Sequence, residues 1–146
     1  MCVELVGAFD PGGPLAGLSA LAGVHLTGVV DDLKPVYERA HLVVAPLRDG
    51  GGTRIKILEA FAAGVPVVST AAGVAGLPVE HGRHALLAES ATDIARAVTL
   101  LAGDEALACS LAAEARRLVA EGFTLEIVGR TLRSLMRQLE RAGPSR

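Results

Sequence analysis

Short apolar runs rich in β-branched residues recur along the sequence and are separated by stretches with helical spacing. Strands that alternate with helices predict parallel βαβ units, and strands that are apolar throughout predict a sheet covered by helices on both faces. The expected fold class is therefore α/β, with a doubly wound parallel sheet. The five predicted strands are Val3 to Val6, Val24 to Thr27, Leu42 to Ala45, Val65 to Ser69 and Ala85 to Ala88.

The pattern becomes purely helical from Thr92 onward. Asp104 is the expected N-cap of one helix, and Gly122 is its expected end. We predict one domain over residues 1–122, an amphipathic C-terminal helix over residues 123–142 and a disordered tail at 143–146. Because Met1 runs directly into a strand, we expect the chain to begin inside a domain whose first βα unit lies outside it.

Charge and cysteine content limit the partners that we expect. A formal net charge of −2 gives no overall attraction to nucleic acid, so we expect no nucleic-acid partner. Cys2 and Cys109 lie far apart without metal-ligand spacing, so we expect buried free thiols, a reducing compartment and no metal. No segment approaches the ~20 apolar residues of a spanning helix. The expected location is the cytoplasm, with peripheral attachment to a membrane as a second option.

A glycine-rich loop follows the third predicted strand. Its residues, Pro46 to Thr53, include three successive glycines and lead into a helical run from Arg54 to Ala63. Backbone N–H groups of such a loop can approach an anion closely, and the positive end of the helix dipole favours the same place. The sequence contains neither a Gly-Lys-Ser/Thr ending nor a GxGxxG motif, which argues against a P-loop NTPase and a dinucleotide oxidoreductase.

The predicted helix has a polar face and an apolar face. Lys56 and Glu59 are three residues apart and share the polar face, so Lys56, together with Arg54, could neutralise a diphosphate. Glu59 could accept hydrogen bonds from ribose hydroxyls. We expect the buried stripe to consist of Ile55, Leu58 and Ala62. The alternative at this point is a flexible loop beside a solvated Lys/Glu pair that contributes less than about 1 kcal/mol.

The segment from Pro46 to Thr70 resembles the signature of family 4 glycosyltransferases, which are retaining enzymes of the GT-B fold that use nucleotide sugars. The resemblance extends roughly from Leu5 to Val119. It implies that residues 1–122 are a Rossmann-like, nucleotide-sugar-binding domain, the C-terminal half of such an enzyme. The acceptor site would lie on an N-terminal domain outside this chain, and the isolated chain would be inactive. The donor is the only small molecule implied, without a separate cofactor.

The resemblance also assigns individual residues. Glu59 matches the glutamate that holds the ribose, and Val30 lies where backbone atoms contact the base. The loop residues Gly51, Gly52 and Thr53 match the turn whose amides meet the diphosphate. Lys56 and Arg54 match basic positions of one subgroup, and their phosphate role is our inference.

Two departures from the family pattern concern the sugar and the diphosphate. Many members carry a glutamate eight positions before Glu59 that touches the sugar, and here that position is Gly51. The Arg and Lys that bind the diphosphate belong to the first βα unit, before this chain. These departures favour an alternative, a non-catalytic degenerate module that acts as a scaffold or binds a partner. An unrelated α/β phosphate-binding protein is a third reading.

The mechanism implied by the resemblance needs no side-chain base. The sugar is transferred with retention, and the leaving diphosphate helps to deprotonate the acceptor, so we name no catalytic residue with certainty. The histidines are then expected to be structural or surface residues. The donor base, the sugar and the acceptor stay open.

The C-terminal helix is predicted to be strongly amphipathic. Its apolar residues Val128, Leu132, Leu135 and Leu139 fall on one side, and four arginines fall on the other. We expect part of this stripe to lack cover and to mediate homodimerisation. The alternatives are a stripe that is fully buried within the chain and an arginine face that rests on anionic lipid.

Overall fold

The computed structural model describes residues 2–10, 12–13, 15–49 and 54–142. These residues form two compact units, Met1–Val36 and Tyr37–Arg146. The predicted tail, 143–146, lies outside the described residues.

The first unit is built on two parallel strands, β1 (Val3–Val6) and β2 (Val24–Gly28). A short 3-10 turn at Ala16–Ala20 lies between them in the sequence. β2 ends at Gly28, whose φ of 78° lies in the left-handed region that glycine adopts without strain. The Gly28 carbonyl accepts a hydrogen bond of 2.7 Å from the Gly7 amide, which continues the pairing past the end of β1.

The second unit contains a three-stranded parallel sheet in the order β3-β4-β5. Val43 pairs with Val67 and Ser69 pairs with Leu87. The strands are β3 (Val43–Ala45), β4 (Val67–Ser69) and β5 (Leu86–Leu87), and the helices are α2 (Ile55–Ala63), α3 (Ala91–Gly103), α4 (Glu105–Gly122) and α5 (Leu125–Ala142). The helix α1 (Lys34–Arg39) begins in the first unit and continues into the second at Tyr37.

Both faces of the central strand β4 are covered. Val67 packs in a cluster with Ile57 and Phe61 of α2 and with Ala115 of α4. Its neighbour Val68 points to the other face and packs with the other cluster, which includes Leu86, Leu101 and Leu111. Because successive residues of a strand face opposite sides, a strand between two helical layers buries apolar residues on both faces, as Val67 and Val68 do here. The predicted parallel α/β architecture is confirmed.

The helix boundaries follow the capping signals. The Asp104 carboxylate accepts a 2.9 Å hydrogen bond from the Leu107 amide at the start of α4, which ends at Gly122 as predicted. The α2 helix ends at Gly64, whose φ of 74° lets its amide reach the carbonyls of Ala60 and Phe61.

The predicted buried stripe of α2 is wrong. Ile55 is 57% exposed and Ala62 is exposed, whereas Ile57 and Phe61 are almost fully buried. Seven of the nine residues of α2, IKILEAFAA, are apolar, so spacing alone does not select one face. The face of α2 that carries Phe61 buries more apolar area than the face with Ile55 and Ala62. It is therefore the face that packs on the sheet.

Cys2 and Cys109 were expected to be buried, and this is also wrong because both are exposed. Within the described residues, none of the helices combines the length and the apolar character needed to cross a bilayer. No group of three or more His, Cys, Asp or Glu side chains in the same residues is placed to hold a metal ion.

Candidate functional site

The start of α2 lies just after the glycine-rich loop that the sequence singles out. Arg54 is the N-cap and is half-buried, with its Nε atom shielded from water. The first amides of an α-helix have no intrahelical acceptor, and those of Ile55 and Lys56 have no acceptor among the described residues. Gly51, Gly52 and Thr53 lie outside the described residues, and their contact with a diphosphate stays a prediction.

The polar face of α2 is joined to α1 through one phenol group. The Tyr37 hydroxyl lies 3.2 Å from the Lys56 carbonyl oxygen and 3.2 Å from Oε2 of Glu59. The Tyr37 ring packs against the apolar cluster beneath α2. The half-buried carboxylate of Glu59 is therefore held by a residue from another helix, while Lys56 is exposed.

The pKa of Tyr37 reflects its burial and its contact with Glu59. Burial of the phenol, followed by the charge and the hydrogen bond of Glu59, raises the pKa of Tyr37 to about 12. A phenolate beside a carboxylate would be unfavourable, so Tyr37 is a neutral hydrogen-bond donor at physiological pH.

Two buried hydroxyl groups connect the carboxyl ends of β3 and β4. Ser69 Oγ donates to the Ala45 carbonyl at 3.0 Å. Thr70 Oγ1 donates to the Leu47 carbonyl and accepts a 3.0 Å bond from the Gly73 amide. The first residues of the loop that leads to the glycines are thereby fixed to the neighbouring strand.

The third strand end is connected in a similar way. The Ala88 amide donates to the Ser69 carbonyl at 2.8 Å, and the Ala71 amide donates to Glu89 Oε1 at 2.7 Å.

His84 is buried, and its Nδ1 accepts a 3.1 Å bond from the Glu80 amide, while His81 Nδ1 accepts a bond from the Leu87 amide. Both histidines therefore hold backbone in place.

The structure brings together three of the predicted site residues, Arg54, Lys56 and Glu59, on the first two turns of α2. Val30 follows β2 in the first unit and is half-buried. Sequence reasoning missed the role of Tyr37 and of the hydroxyls of Ser69 and Thr70. These residues lie 19 to 24 positions from their partners, so no local spacing reveals them.

A shallow cleft of about 240 Å³ lies elsewhere in the second unit, against β5 and α3. It is lined mainly by apolar side chains, with His81, Asp93 and Arg96 among its residues. Asp93 already bonds to Ser90 at the start of α3. The cleft shares no residue with the polar face of α2.

The sequence profile described as Glycosyl transferases group 1 matches residues 4–104, more than half of the chain. The chain belongs to this family. The predicted family is thereby confirmed. An exopolysaccharide phosphotransferase of Streptomyces coelicolor is 36% identical over 97 residues, which are 64% of this chain and 10% of that protein.

Several solved structures share the fold of this chain. The Anabaena protein Alr3699/HepE, crystallised with UDP, has a TM-score of 0.83 at 21% identity over 95% of this chain and 41% of its own. Sucrose-phosphate synthase of Thermosynechococcus elongatus has a TM-score of 0.80 at 26% identity over 96% and 39%, respectively. The chain thus spans about two fifths of these proteins. The likeness confirms the Rossmann-like fold class.

Proposed function

We propose that this chain is the donor-binding domain of a retaining glycosyltransferase and that it binds a nucleoside diphosphate sugar at the start of α2. The observation that carries the proposal is Glu59, a half-buried carboxylate oriented by Tyr37 beside the helix N-terminus. Membership of the family supports it. So do the HepE crystals, which contain UDP, UDP with glucose, or UDP-glucose.

Each site residue has a separate task in this proposal. Glu59 accepts hydrogen bonds from the ribose hydroxyls and fixes the donor's position. The first amides of α2, with Lys56 and Arg54, stabilise the negative charge that develops on the leaving diphosphate. The acceptor binds to a preceding domain outside this chain, so the isolated chain binds the donor without transferring the sugar. No metal or cofactor is needed, and the enzyme works in the cytoplasm.

UDP or GDP is expected to bind the isolated chain with a dissociation constant in the millimolar to high-micromolar range. A dissociation constant of about 1 mM corresponds to a binding free energy of about −4 kcal/mol. An NMR titration measures this, and we expect the largest shifts at Tyr37, Lys56, Glu59 and the loop 50–53. Shifts confined to other regions, such as the cleft between β5 and α3, would contradict the site assignment.

A second candidate function is that of a non-catalytic module that acts as a scaffold or binds a partner. Gly51 favours it, because many relatives have a sugar-contacting glutamate there. An acceptor domain encoded in frame upstream of Met1 would support the enzyme, whereas its absence from the gene would support the module.

The apolar stripe of α5 is expected to make the chain dimerise with rising concentration. Val128, Leu132 and Leu135 are 54%, 57% and 51% exposed, so the described chain leaves this part of the stripe uncovered. Sedimentation should detect the dimer, and Leu132→Lys should shift it to monomer because a charge enters the apolar contact.

Two controls separate dimerisation from lipid binding. Ser134→Lys adds the same charge on the side of α5 away from the stripe and should leave the dimer intact. Sedimentation with anionic vesicles tests the alternative that the arginine face rests on lipid. A chain that stays monomeric at high concentration would contradict the expected dimer.

A further inference from the structure

The carboxylate of Glu59 has one hydrogen-bond donor among the described side chains, the phenol of Tyr37. The single phenolic hydrogen has two acceptors at equal distance, the Lys56 carbonyl and Glu59 Oε2. Both distances, 3.2 Å, exceed the usual O–H···O range, as expected for one shared hydrogen. Bonds to an ionised carboxylate are the stronger ones, so the carboxylate competes well for it.

The Tyr37 contact leaves most of the acceptor capacity of Glu59 unused. A carboxylate has about four lone-pair sites, and the phenol occupies one of them on Oε2. Oε1 and the remaining site on Oε2 can accept from two neighbouring hydroxyl groups. The contact therefore fixes the direction of the Glu59 side chain and leaves its other lone-pair sites open to hydroxyl donors.

The position of Tyr37 makes this contact rigid. Its ring packs on the cluster that contains Ile57 and Phe61, two buried residues of α2, the helix that carries Glu59. The phenol on α1 and the carboxylate on α2 thus lie above the same apolar cluster. A side chain that is ordered before binding does not lose its rotamer freedom on binding. Its order raises the affinity by a factor of about two to ten.

We propose that Tyr37 is a positioning residue, which holds the Glu59 carboxylate in the orientation that accepts both hydroxyls of the donor ribose. This inference rests on the proposed function, because it assumes that Glu59 binds the ribose. In this proposal Tyr37 acts on the donor through Glu59.

The test compares UDP with 2′,3′-dideoxy-UDP on the full chain and on Tyr37→Phe, which keeps the ring and removes the hydroxyl. We expect the substitution to weaken UDP binding about threefold to tenfold and to leave binding of the dideoxy analogue unchanged. An equal loss for both ligands would show a general structural role and would overturn the inference.

A double-mutant cycle separates the inference from the proposed function. Glu59→Gln should weaken UDP binding, and Tyr37→Phe should then have no further effect. If Glu59→Gln weakens binding but Tyr37→Phe alone does not, the inference is wrong while the proposed function stands. If Glu59→Gln leaves UDP binding unchanged, the ribose role is wrong and the inference falls with it.

A measurement without ligand covers the case in which Tyr37→Phe fails to fold. The ring resonances of Tyr37 are followed by NMR at neutral pH. Glu59→Gln should shift them, because the charge of the carboxylate beside the phenol is removed while the burial of the ring stays. Unchanged resonances would show that the phenol does not interact with Glu59 and would overturn the inference.

Discussion

Replacing Glu59 with alanine is expected to lower the affinity for UDP about tenfold to a hundredfold, since hydrogen bonds to a charged group contribute about 1.5–3 kcal/mol. Folding should be nearly unaffected. Alanine is a strong helix former, and the Tyr37 hydroxyl keeps its other acceptor, the Lys56 carbonyl. NMR titration with UDP measures the affinity, and thermal unfolding measures the stability.

The matched control for this substitution is Glu121→Ala, which removes the same charge from an exposed position on α4. It should bind UDP as the native chain does. A large loss of thermal stability in Glu59→Ala together with unchanged UDP binding would mean that Glu59 has a structural role only.

Gly73→Ala is expected to lower the free energy of unfolding by about 1–3 kcal/mol, the usual cost of an extra carbon in a packed interior. A Cβ atom at Gly73 would overlap Ser69 Oγ and would lie 3.1 Å from the Ala45 carbonyl oxygen. Ser69 would have to give up its hydrogen bond to the Ala45 carbonyl of β3. Denaturation in urea measures the change.

Gly103→Ala is the appropriate comparison, because a Cβ there meets nothing within 4 Å. Gly103 is the last residue of α3, so alanine should leave stability unchanged or raise it by up to about 1 kcal/mol. Equal stabilities of the two variants would contradict the close packing at Gly73.

The sequence predicted most of the fold because the relevant signals are local. The apolar run through Val67 and Val68 matches a strand buried on both faces, and Asp104 caps α4 where its spacing indicates. The burial of α2 could not be predicted in the same way. Its apolar residues lie on nearly all sides, and packing against β4 and α4 decides which of them become buried.

In the candidate site, too, some features could be predicted from local sequence signals and others could not. Arg54, Lys56 and Glu59 were recognisable because they lie on one short helix after a glycine loop. Tyr37 and Thr70 contribute through hydrogen bonds to residues 22 and 23 positions away. Such contacts depend on how α1, β3 and β4 pack, which no spacing in the sequence specifies.

The single tyrosine of this chain also has an optical consequence, since the sequence contains no tryptophan. Without tryptophan, no energy transfer masks tyrosine emission, so the ultraviolet fluorescence of the protein comes essentially from Tyr37. An excited phenol that donates to a carboxylate loses its proton to it and emits weakly. The emission of the unlabelled protein is therefore sensitive to the hydrogen bond between Tyr37 and Glu59, and Glu59→Gln should increase it.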